Sequence, residues 1–151
     1  MTQEDKELLL KDLCARLPYG VKVESVFINP DTKEHKSCGI EVFDATSILM
    51  IRDGLGEFKP YLFPLSSMTE EQTEEYYSLA DDVTIKPGQG SYFGIKIHCI
   101  KLGISDNPHE GVWDWVDLDA IDWLNAHHFD YRGLIEKGLA IDATGLNIYE
   151  L

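Results

Sequence analysis

Lysine and arginine are missing between Lys101 and Arg132 and scarce elsewhere: 13 basic side chains stand against 27 acidic ones, a formal net charge of −14. An excess of that sign repels phosphate backbones and anionic membranes and gains nothing from counterion release. Direct nucleic-acid binding and membrane-surface binding are therefore disfavoured. Cysteine is also sparse. Cys14, Cys38 and Cys99 are an odd number without C-x-x-C spacing, which argues against a disulfide framework or a cysteine zinc site and suits a reducing compartment. No apolar run approaches the roughly 18 residues of a membrane span. The N-terminal MTQEDKELLLKDL places acids where a signal peptide has a basic region. Cytoplasmic localisation is expected, with no cofactor implied.

What is present suits a soluble core. The 151 residues are expected to form one α+β domain, 1–151. It would have an N-terminal helix, a mostly antiparallel small sheet or partial barrel, and helices of the C-terminal third packed on it. Thr2 followed by Glu4 and Asp5 starts a helix. Leu9, Leu10, Leu13, Cys14 and Leu17 form its apolar face, with Lys11, Asp12 and Arg16 off it and Pro18-Tyr19-Gly20 ending it. Val21, Val23, Val26 and Ile28 alternate imperfectly as a strand, and a polar turn follows from Asn29 to Ser37. Ile40 and Val42, then Ile48 to Ile51, predict two more short strands. Phe58 to Pro64 contains two prolines and reads as an edge strand or extended arm rather than a central strand. Thr69 with Gln72 predicts a capping box and a helix to about Leu79. Tyr92 to Leu102 predicts a strand, Asp117 a helix start with Asp119 in its first turn, and Asp130 a short helix stopped by Gly138.

The stretch without basic residues, 102–131, gathers seven aspartates and glutamates, all three tryptophans, and His109, His127 and His128. His128-Phe129-Asp130 has the H-x-D spacing of an iron site, yet no histidine follows it to complete the set. His128 and Asp130 are therefore only an alternative metal pair. Asp117, Asp119 and Asp122 resemble the start of a calcium loop, but its sixth position is Asp122 instead of Gly and its twelfth is His128 instead of Glu. Gly88-x-Gly90 precedes a strand, whereas a phosphate-binding loop opens a helix. No G-x-S-x-G marks a nucleophile. Trp113 and Trp123 fall on a core face, leaving Trp115 as the exposed aromatic, a possible platform for sugar or protein contact. The residues left for contact are Asp114, Trp115, Asp119 and Asp122.

Three blocks look familiar as a set: Leu13 to Val21, Lys59 to Glu71, and Trp123-Leu124-Asn125 with His128 to Ile135. They resemble a family of short acidic proteins from Bacteroides-type gut bacteria and their phages and mobile elements. The resemblance implies a setting, that of a phage or mobile-element accessory protein, and carries over no catalytic residue. Two functional expectations follow. One is a non-enzymatic interaction protein whose acidic C-terminal region contacts a basic protein partner. The other is a hydrolase or metal-dependent enzyme using His127 or His128 with Asp130. Oligomeric state is not set by the sequence.

Overall fold

A computed structural model describes residues 1–79 and 118–150. Helix α1 (Gln3–Arg16) opens as expected: Thr2 Oγ1 accepts the Asp5 N–H and the Asp5 carboxylate accepts the Thr2 N–H. Leu9 and Leu13 are buried, and a 3₁₀ turn (Leu17–Tyr19) with Gly20 at φ 66° releases the chain. Two assignments along α1 are reversed. Cys14 is exposed, while Asp12 and Arg16 are buried. The cause is their four-residue spacing, which lets the two side chains neutralise each other and enter the interior together.

The fold is α+β, with α1 ahead of a mixed open sheet and further helices later in the chain. Strands β1 (Lys22–Ile28) and β2 (His35–Val42) form an antiparallel pair, and β1 also pairs antiparallel with β3 (Gly56–Pro64). Two short strands, β4 (Phe129–Asp130) and β5 (Ile141–Asp142), add to β3 in parallel. The order is β2-β1-β3-β4, with β5 also on β3. The imperfect alternation of β1 has a physical origin: the β1–β2 register shifts between Ser25 and Val26, a β-bulge. Val23 and Ser25 are buried on one face, and Glu24 and Val26 are half-buried on the other.

Two strand assignments are corrected. Ile48 to Ile51 belongs to a helix, α2 (Ala45–Arg52), because the Asp44 carboxylate accepts the Ser47 N–H while Ser47 Oγ accepts the Asp44 N–H. That capping box outweighs the β preference of the isoleucines. The proline-bearing segment is the most connected strand, not an edge. The Ile28 N–H donates to Leu55 O, so by alternation Glu57 and Lys59 face β1 and Pro60 does not. On its other side, among the described residues, the strand is paired only by β5 at Tyr61 and Leu62, so no described partner needs the donor that Pro60 lacks.

Two apolar clusters hold the layers together. Leu9, Leu13, Val23, Phe43, Phe58, Leu62 and Leu134 form one. Leu65, Tyr76, Ala120, Trp123, Leu124 and Phe129 form the other, seating helices α3 (Glu70–Leu79) and α4 (Leu118–Ala126) against the end of β3. Each buried leucine, valine or phenylalanine among them contributes about 1.5–3 kcal/mol by burial. The α3 capping box forms as expected, Gln72 N–H to Thr69 Oγ1 and Thr69 N–H to Gln72 Oε1. The short helix expected after Asp130 is a series of turns instead. Asp130 still caps it, accepting the N–H groups of Leu134 and Ile135. The expected strand 92–102 lies outside the described residues.

Candidate functional site

Helices α3 and α4 pack through Tyr76 and Trp123, whose ring centroids lie 5.7 Å apart. This brings two helices without lysine or arginine together, α3 from the basic-free stretch 60–85 of the sequence and α4 from the basic-free stretch 102–131. On α3, Glu70, Glu71, Glu74 and Glu75 are all exposed, as is Asp122 on α4. None of the ion pairs among the described residues involves these five carboxylates. Tyr19 lies beside Asp122, and its phenol is held above its ordinary range by burial and by the Asp122 carboxylate it bonds. Asp119 falls in the first turn of α4. Asp114 and Trp115 lie outside the described residues. The glutamates of α3 were missed by reading the longer basic-free stretch alone; the shorter one was the available signal.

The histidines and Asp130 are placed differently. His127 is half-buried, its Nδ1 2.9 Å from Trp123 O and its ring stacked on Trp123 at 4.2 Å. His128 is buried at φ 61°, and its ring stacks on Tyr149 at 3.8 Å and 12°. Its Nδ1 has no hydrogen-bond partner among the described residues. Burial first, then Arg16, His127 and Lys22, push the His128 pKa down to about 4. The Asp130 carboxyl is raised by burial against the pull of the two backbone donors it caps. Each group is thus committed to local structure. No cluster of three or more His, Cys, Asp or Glu side chains that could hold a metal occurs among the described residues.

Around Asp130 lies the buried ion cluster that sequence reasoning placed on the surface. Arg16 Nε donates to Asp12 Oδ2 at 2.8 Å and Nη2 to Oδ1 at 3.1 Å, and Nη2 also donates to Phe129 O at 2.6 Å. Arg132 Nε stands 3.2 Å from the same Asp12 carboxylate without the alignment of a hydrogen bond. Both guanidinium groups lie over the Tyr131 ring, at 5.2 and 5.1 Å, and Tyr131 Oη donates to Asn125 Oδ1 at 2.7 Å. The cluster ties the end of α1 to β4. Nearby, Tyr149 Oη donates to Tyr61 O at 2.7 Å and accepts the Lys22 N–H at 2.9 Å, and Lys22 Nζ donates to Ile148 O. These contacts lock the chain's last described residues against β1 and β3.

Comparisons with protein-family models, curated proteins and solved structures find no match. No helix among the described residues is long and apolar enough to cross a membrane.

Proposed function

We propose that this chain is a non-enzymatic accessory protein, of the kind carried by phages and mobile elements, that binds a basic protein partner through the acidic face of α3 and α4. The observation that supports the reading is the packing of two helices without lysine or arginine, on which Glu70, Glu71, Glu74, Glu75 and Asp122 stand exposed and without ion-pair partners among the described residues. Unpaired carboxylates in that density attract a cationic surface over a Debye length of about 8–10 Å at working salt. Carboxylates presented in place of phosphates would suit a partner that itself binds nucleic acid. The hydrolytic alternative is less well supported: His127 and Asp130 are engaged with Trp123 O and backbone N–H groups, and the His128 ring is stacked on Tyr149.

Affinity capture from host lysate tests this. A basic protein should be recovered, and its binding should weaken by roughly tenfold or more when the four α3 glutamates are changed to glutamine, or when salt is raised. Capture unaffected by salt and by those changes would sink the reading.

A further inference from the structure

Among the described residues strand β2 ends the sheet, and all eight of its residues are exposed, with Ile40 at 55% and Val42 at 52%. Two hydrogen bonds fix which way its backbone turns. The Phe43 N–H donates to Val21 O at one end of the β1–β2 pair, and the Asn29 N–H donates to Glu34 O at the other. Because bonded residues alternate along an antiparallel ladder, Glu41, Gly39 and Lys36 face Val23, Ser25 and Phe27 of β1. His35, Ser37, Ile40 and Val42 therefore direct their N–H and C=O groups off the sheet, where no strand among the described residues pairs with them.

The bulge makes this open row self-complementary. Ser25 pairs with Gly39 and Val26 with Ser37, which leaves Cys38 as the extra residue at the middle of β2. A two-fold axis through the bulge sets His35 against Val42, Ser37 against Ile40, and Lys36 against Glu41, each pair on a common face. Without the extra residue the same register would place paired side chains on opposite faces. Like charges are nowhere opposed, and the lysine and glutamate meet twice. The strand itself is balanced in charge, which gives an acidic chain a place to approach its own copy.

We propose that β2 is a self-association edge, on which two copies of this chain pair antiparallel about a two-fold axis at the Cys38–Gly39 bulge, with Lys36 of each opposite Glu41 of the other. An eight-residue edge buries less than a standard interface, so the dimer is weak and forms with rising concentration. Sedimentation equilibrium over a concentration series should show it. Lys36→Glu and Glu41→Lys each oppose like charges at both contacts and should weaken self-association roughly tenfold. An equal mixture of the two variants restores both ion pairs and should form a heterodimer. Both positions are exposed, and circular dichroism checks that the variants fold. In a Cys14→Ser/Cys99→Ser background, a short bismaleimide should link Cys38 to Cys38. A chain that stays monomeric throughout, association indifferent to both charge reversals, or a dimer without the Cys38 cross-link would each overturn the proposal.

Discussion

Charge is handled in opposite ways at the two ends of this molecule's second apolar cluster. At one end Asp12, Arg16 and Arg132 are drawn inside, share one carboxylate and clamp an aromatic ring. At the other, five carboxylates of α3 and α4 stand in solvent with no basic residue on either helix. Buried charge here serves connection, since Arg16 reaches the β4 backbone across 113 positions of sequence. The exposed carboxylates make no ion pair among the described residues. The two regions differ in what a lost charge costs: inside, losing a partner is costly; outside, no ion pair among the described residues depends on these carboxylates.

The sharpest way to break the comparison is to remove one buried partner. Arg16→Met leaves the Asp12 carboxylate facing only Arg132 and frees the Phe129 carbonyl, and should cost about 3–5 kcal/mol in urea unfolding. Asp12→Asn should be comparably harmful because two guanidinium groups then face each other. If either change costs under about 1 kcal/mol, the cluster does not fasten α1 to β4.

Next in size is the pH response of His128. Its folded pKa of about 4 lies below the unfolded value near 6.5, so the unfolded chain binds the extra proton between the two. Stability is full above about pH 6.5 and falls as pH drops toward 4, by at most about 3 kcal/mol. The raised Asp130 carboxyl works in the opposite sense at the lower end of that window. The measurement is therefore the difference in acid slope between the wild type and His128→Asn, asparagine being tolerant of the positive φ. Equal slopes would show that the histidine does not titrate as its setting requires.

A smaller effect is expected from Tyr149→Phe, which keeps the stack on His128 but gives up the hydroxyl's bonds to Tyr61 O and the Lys22 N–H. About 1–2 kcal/mol should be lost in thermal unfolding. The smallest belongs to the outer end: each of Glu70, Glu71, Glu74 and Glu75 changed to glutamine should shift stability by less than about 0.5 kcal/mol. A larger loss would mean that these side chains have a structural duty, and that they do not stand free for a partner.

How much of this was legible in the sequence depends on range. Local signals read well: the Thr2 and Thr69 caps form, Leu9, Leu13, Trp123 and Leu124 are buried, and the α+β class holds. What failed needed knowledge of neighbours distant in the chain. Asp12 and Arg16 look like a solvated helix pair until β4 and Arg132 arrive to cover them. Pro60 looks incompatible with a central strand until the pairing of β3 shows that its missing donor does not face β1. Ile48 to Ile51 is ambiguous by period alone, and the Asp44–Ser47 cap beside it was the overlooked clue. At the site, Asp122 was legible as an exposed acid; that an acidic α3 packs on its helix was not, because the contact of Tyr76 with Trp123 creates that pairing.

The joining of β3 to β4 and β5 has one more consequence. Phe63 pairs with Phe129, Tyr61 with Ile141, and Lys22 is bonded by Tyr149, so the sheet is completed by segments far along the chain. The closure entropy of those long loops must be met before their contacts form. The β1–β2 hairpin, with its short connection, can assemble early, whereas the flank of β3 waits for the distant strands. Refolding should accordingly show fast recovery of local structure followed by slow burial of Trp123, with the late contacts at Arg16 and Tyr149 governing the rate of unfolding more than that of folding.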